Sequence, residues 1–140
     1  KAEYSGTQYA VYAALTKAKL AVEANDLDAA VSELQWAMDN ADEVSAFVAR
    51  LRLARVEAAR GDLDKALQLV QGIDAGEMKS AFEEAKGDFY LEQGNSAAAY
   101  TAYQSALAIE ATGDNSVRAL LELKIGLVQP VEPEEPATEQ

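Results

Sequence analysis

The chain has 140 residues, with 12 Lys and Arg against 24 Asp and Glu and a formal net charge of −12. It contains neither Cys nor His, which excludes disulfides, thiolate and imidazole metal sites, cysteine nucleophiles and the commonest general base. The acidity argues against a nucleic-acid partner, since neutralising phosphates takes a surplus of Lys and Arg, and an apolar content of 49% with only 7% aromatic residues points to close-packed helices.

In chain order, an Ala- and Leu-rich helical pattern over about 6–24 leads to a turn at Asn25-Asp26. A second helix follows over about 27–41, with a core stripe of Leu27, Ala30, Val31, Leu34, Ala37 and Met38 at steps of three and four. Trp36 sits just off that stripe and reads as packing toward the next hairpin; exposed, it would mark a contact surface. A third helix over about 44–60 ends at Gly61-Asp62, and the fourth, about 63–73, carries Leu63, Ala66, Leu67, Val70 and Ile73. The fifth, about 78–93, ends at Gly94-Asn95, and the sixth, about 96–110, carries Ala99, Ala102, Tyr103, Ala106 and Ile109. A seventh helix near 115–128 has Asp114, Asn115 and Ser116 as cap candidates. Its Val117, Leu120, Leu121, Leu127 and Val128 are expected to cover the last hairpin, because a solenoid's end otherwise leaves an apolar face in water. Residues 130–140 have Pro at every third position and four Glu, and read as a disordered tail.

The three turns share one chemistry. Asn25, Gly61 and Gly94 tolerate the left-handed conformation that ends a helix. Asp26, Asp62 and Asn95 then offer a side-chain oxygen to the orphan amides of the next helix, and Asp28 and Asp64 add charge at the positive end of its dipole. The Asp-x-Asp pairs lack the glycine and distal glutamate of a calcium loop and recur with the turns, so they read as helix starts.

The turns begin 36 and 33 residues apart, and Gln35, Gln71 and Gln104 hold one column downstream. That period brackets the ~34 residues of tetratricopeptide arrays. Gly87, Tyr90, Gly94, Ala99, Tyr103 and Ala106 stand at the small, aromatic, small, small, aromatic and small positions of that repeat, whereas Ala54 and Glu57 replace its Gly and Tyr in the second unit. The expected fold is therefore all-α: a tetratricopeptide-like right-handed solenoid over 1–129. Its hairpins lie at about 6–41, 44–73 and 78–110, with a capping helix at about 115–128.

The string Leu51-Arg52-Leu53-Ala54-Arg55-Val56, the Gly61-Asp62 turn after it and the Leu-Glu-Leu-Lys-Ile stretch at 121–125 resemble the ancillary SecYEG translocon subunit family (YfgM-type) of proteobacteria. Members carry a cytoplasmic segment, one transmembrane helix and a periplasmic tetratricopeptide-like domain, and associate with the SecYEG channel and a periplasmic prolyl-isomerase-type chaperone. The resemblance implies a domain on the periplasmic side of the cell inner membrane, with the same partners. The chain starts at Lys1 and shows no ~20-residue apolar run, so any anchor is expected upstream, and a monomer or weak homodimer is expected.

Carboxylates at helix starts and on polar faces give catalysis little to stand on, and there is no phosphate loop or nucleophile elbow. No enzyme activity, cofactor or metal is expected. The function read here is non-enzymatic protein binding as part of the translocon, with a generic tetratricopeptide scaffold as the alternative and a carboxylate enzyme as the outlier. The repeat frame transfers Tyr12, Leu15, Lys19 and Val22 to the concave face, with Val48, Leu51, Arg55, Ala58 and Ala59 from the second unit and Asp88, Leu91 and Glu92 from the third. Leu15, Leu51 and Leu91 fit interhelical core equally well. Arg52 and Arg55, in a cluster with Arg50, Arg60 and Lys65, either pair with nearby carboxylates or dock an acidic partner or lipid headgroup.

Overall fold

The computed structural model describes residues 6–110 and 115–129. These residues form seven α-helices in chain order and no strand: α1 (Gly6–Glu23), α2 (Leu27–Asn40), α3 (Glu43–Ala59), α4 (Leu63–Val70), α5 (Lys79–Glu92), α6 (Ser96–Ile109) and α7 (Asn115–Val128), with a 3-10 turn at Gly76–Met78 before α5. Asp114 and the Pro/Glu segment at 130–140 lie outside the described residues.

The three hairpin turns are one object repeated. Asn25, Gly61 and Gly94 adopt positive φ of 58°, 92° and 80°. The next residue's amide reaches back to a carbonyl five positions earlier: Asp26 to Ala21 at 2.7 Å, Asp62 to Glu57 at 2.9 Å and Asn95 to Tyr90 at 2.9 Å. This is the Schellman closure, which satisfies orphan carbonyls. The side chains of Asp26, Asp62 and Asn95 then accept from the amides of Ala29, Lys65 and Ala98, capping α2, α4 and α6. Asp42 caps α3 in the same way by accepting from the Ser45 amide at 2.8 Å, and that bond holds its carboxyl below the usual value.

Packing runs along the chain: α1 on α2, α2 on α3, α3 on α4, α4 on α5, α5 on α6 and α6 on α7, with a lighter contact between α3 and α5. Contacts confined to near neighbours are the signature of an open solenoid rather than a closed bundle. Ala30, Ala66 and Ala99, equivalent residues of the second helices, are each 0% exposed, so the helices of every hairpin approach at a methyl group. In the third unit the approach is closer still. A Cβ on Gly87 would sit 2.5 Å from the Tyr103 ring. In the second unit, 33 residues earlier, the pair is Ala54 and Val70; a larger residue faces a smaller one in each case, conserving volume at the contact.

Several expectations are corrected. The fourth helix stops at Val70 rather than 73, since Gln71 is extended and Gly72 takes φ 67°; Ile73 packs on the core from the loop. Trp36 is 41% exposed instead of buried toward the next hairpin, and Ile109 is likewise exposed. On α7 only Leu121 and Val128 are buried, while Val117, Leu120 and Leu127 face solvent. The geometry explains a fourth exposed residue there, Leu123. It stands in the column of Ala18, Ala54 and Gly87, at spacings of 36, 33 and 36, the positions covered by the second helix of each hairpin. Among the described residues no helix follows α7.

Candidate protein-binding groove

The first helices of the hairpins and α7 stand side by side, and the same spacings run through them. Lys19, Arg55, Asp88 and Lys124 form one column, and Val22, Ala58, Leu91 and Leu127 form another. The charged column is a ladder from its second rung on. Arg55 meets Asp88 at 3.1 Å, and Lys124 meets the same carboxylate at 3.0 Å. Tyr103, 0% exposed, donates its hydroxyl to Asp88 at 2.6 Å from beneath, and Lys124 also approaches Glu84 at 3.7 Å and the Tyr103 ring. Burial works to raise the Asp88 carboxyl, but the hydrogen bonds from Tyr103, Lys124 and Arg55, together with the Lys124 charge, outweigh it and hold the pKa below its ordinary value. Tyr103 is pushed well above the ordinary phenol range by burial first and then by its bond to Asp88. Asp88 is thus a saturated acceptor that ties α3, α5 and α7 together.

Two clefts open on this wall, with Arg55 as their common border. Between α1 and α3 lies a cleft of about 470 Å³ floored by Ala18, Leu34 and Val56, with Val22 on its side and Lys19, Arg52 and Glu23 at its rim. Between α3 and α5 lies one of about 340 Å³, lined by Ala58, Ala59, Asp88, Phe89, Leu91 and Glu92.

Three of the residues expected at the site, Tyr12, Leu15 and Leu51, fall elsewhere. Tyr12 and Leu15 border a separate hollow against the α2–α3 connection at Asn40, Ala41 and Asp42. Leu15 and Leu51 pack against the interhelical core, while Leu91 is 42% exposed on the wall; helical spacing alone cannot separate the two roles. Arg55 does not use the nearby Glu57, whose buried carboxylate is taken by Arg60 at 3.0 Å and Lys65 at 3.8 Å. Arg60 also reaches Asp28 at 2.8 Å, joining the first two hairpins. Arg52 and Lys19 make no ion pair or hydrogen bond among the described residues. The sequence analysis did not place Lys124 or the Tyr103 hydroxyl in the ladder; a step of 36 beyond Asp88 reaches Lys124, whereas a step of 33 reaches Leu121, so the spacing alone does not single it out. Among the described residues no three metal-ligating side chains stand together, and no helix is long and apolar enough to cross a membrane.

A family model described as a tetratricopeptide repeat-like domain matches residues 1–129. A protein named ancillary SecYEG translocon subunit from Aggregatibacter actinomycetemcomitans is 39% identical over 101 residues, covering 71% of this chain and 50% of that protein. One of the same name from Haemophilus influenzae is 33% identical over 103 residues, covering 73% of this chain and 50% of its own length. The chain therefore spans about half the length of the curated relatives it matches. The crystal structure of PcrH from Pseudomonas aeruginosa superposes with a TM-score of 0.72 at 17% identity, covering 93% of this chain and 96% of that one; at that identity the likeness speaks for the fold alone.

Proposed function

Because this chain belongs to the tetratricopeptide repeat-like family, we propose that it is a non-enzymatic protein-binding module that acts as part of the SecYEG translocon. The observation that carries this reading is the wall itself. Four helices present matching columns and open two adjoining clefts on one face, a preformed surface for another polypeptide that involves no covalent step. The translocon comes from the names of the curated relatives. In the finer form of the proposal, the domain lies on the periplasmic side of the inner membrane and links the translocon to a periplasmic prolyl-isomerase-type chaperone. Support for that form is the resemblance around Leu51–Val56.

A photocrosslinking amino acid at Val22 or Leu91 of the full-length membrane protein tests both forms. Adducts with a SecYEG subunit are expected, and adducts with a periplasmic isomerase support the finer form. Crosslinks from Trp36, an exposed residue of α2, that outnumber those from Val22 and Leu91 would overturn the groove as the binding face. Absence of any translocon adduct would overturn the translocon reading.

A further inference from the structure

The charged column holds a gap. Reading along the wall, its signs are positive at Lys19, positive at Arg55, negative at Asp88 and positive at Lys124. Between α3, α5 and α7 each cation has a carboxylate to meet. Between α1 and α3 the neighbouring rungs are both cations, and Arg52, one turn from Arg55, adds a third to the same cleft. Arg55, Arg60, Lys65, Lys86 and Lys124 each meet a carboxylate. Lys17, Lys19, Arg50, Arg52, Lys79 and Arg118 form no ion pair among the described residues, and of these Lys19 and Arg52 stand together on one cleft. Glu23, on the same rim, makes no ion pair with either of them. Beneath these charges the floor is wholly apolar, made of Ala18, Leu34 and Val56. At about 470 Å³ the cleft has room for a large side chain.

We propose that the α1–α3 cleft seats an internal segment of a partner polypeptide in which a bulky aliphatic residue is flanked by carboxylates. The aliphatic side chain lies on the Ala18–Leu34–Val56 floor, and a partner Glu or Asp takes the missing anionic rung between Lys19 and Arg55, with Arg52 as a further donor. Charge complementarity selects this occupant. A basic or neutral segment would leave the cations unmatched, and a purely charged one would leave the floor in water. The proposal rests on the protein-binding reading above and names the chemistry of what is bound.

The probe is a fluorescent peptide, acetylated and C-terminally amidated, with one leucine between two glutamates, titrated with the full chain at low salt and followed by anisotropy. Saturable binding below millimolar concentration is expected. Replacing both glutamates by lysine, or the leucine by serine, should weaken it at least tenfold. Lys19→Glu combined with Arg52→Glu should do the same, while Lys79→Glu, an exposed cation away from the cleft, should leave it within twofold. Far-ultraviolet circular dichroism and melting temperature establish that the double variant is folded; if it is not, Lys19→Gln with Arg52→Gln takes its place, with at least a fivefold loss expected. Binding that is absent at millimolar protein, indifferent to the lysine peptide, or unchanged in the charge variants overturns the proposal. So does binding to vesicles of anionic phospholipid that the peptide does not displace, which would assign the cations to a lipid surface. Crosslinking to SecYEG is scored separately on the wild type, so failure of the module and failure of this partner chemistry give different results.

Discussion

The two halves of the wall use similar residues to opposite ends. From α3 to α7, Arg55, Asp88, Lys124 and the Tyr103 hydroxyl close on one another, and the Asp88 carboxylate has no acceptor capacity left idle. From α1 to α3, Lys19 and Arg52 stand over an apolar floor with no partner among the described residues. The closed half contributes to its own stability: charge-assisted hydrogen bonds to a partly buried carboxylate are worth about 1.5–3 kcal/mol each when desolvated. The open half is held by its apolar core of Ala18, Ala30, Leu34, Leu53 and Val56, and its cations add no ion pair to it. In a solenoid built of equivalent repeats, the sign of a single rung thus decides whether neighbouring helices are tied together by charge or left with unmatched cations.

The contrast presupposes one continuous array, and the largest effect expected is its loss. Ala66 is 0% exposed where α4 meets α3. Ala66→Glu would bury a carboxylate with no cation to meet it, at a cost of about 4 kcal/mol or more, a large part of the ~5–15 kcal/mol that holds a domain together. Cooperative loss of helicity in thermal melts is the expected result; an unchanged melting temperature would mean that α3 and α4 do not meet at this methyl group.

Gly87→Ala strikes the closed half alone. The added methyl group meets the Tyr103 ring at 2.5 Å, against side-chain carbons of a residue that is fully buried and tied to Asp88. The ring has little room to yield, so about 1–3 kcal/mol of stability should go, with the Tyr103–Asp88 bond lengthened. Since α1 and α3 are untouched, peptide binding in the open cleft should persist at temperatures below the melt. Equal loss of binding and stability would show that the two halves are not independent.

Much of this division could be read from the sequence, because its causes are local or periodic. The turns are set by residues within a few positions of one another: a left-handed Asn25, Gly61 or Gly94, then a capping Asp or Asn. The columns follow from a spacing that any residue obeys. What the sequence hid depends on distances between helices. Leu15 and Leu51 turn into the core and Leu91 onto the wall, although all three satisfy the same helical spacing. Arg55 finds its carboxylate 33 residues away rather than at Glu57, since α3 and α5 bring those rungs together while Glu57 points into the α3–α4 turn. Trp36 and Ile109 stay exposed because the surfaces expected to cover them do not reach that far.

Asp88→Asn makes the closed half resemble the open one, leaving Arg55 and Lys124 as facing cations. The expected cost at neutral pH is about 1–3 kcal/mol, since the amide keeps one acceptor but loses the charge. The pH dependence identifies the cause. A carboxylate held below its ordinary value of 3.8 in the folded protein contributes stability above that pH. The contribution disappears as pH falls through the folded-state pKa, where the native carboxylate takes up its proton. The difference in melting temperature between wild type and Asp88→Asn should therefore be full at pH 6 and shrink steadily below about pH 4. A difference independent of pH would assign the loss to packing.

Lys19→Glu makes the converse change, and its effect on stability should be the smallest. The new carboxylate would stand in the Lys19 column beside Arg55, supplying in cis the rung that a partner is proposed to bring. Arg55 is about half exposed and already engaged by Asp88, so the gain is that of a surface pair, about 0.2–1 kcal/mol, or roughly 1–4 °C in melting temperature for a domain of this size. Half-molar salt should erase most of it, because the Debye length then falls to about 4 Å. The sign matters more than the size: a stabilised protein that no longer binds the acidic peptide would show that the cation was kept for recognition at a small expense to the fold. A destabilised Lys19→Glu protein, with no recovery or loss on adding salt, would show instead that α1 and α3 lie too far apart for their rungs to interact, and that the open half has no ladder to complete.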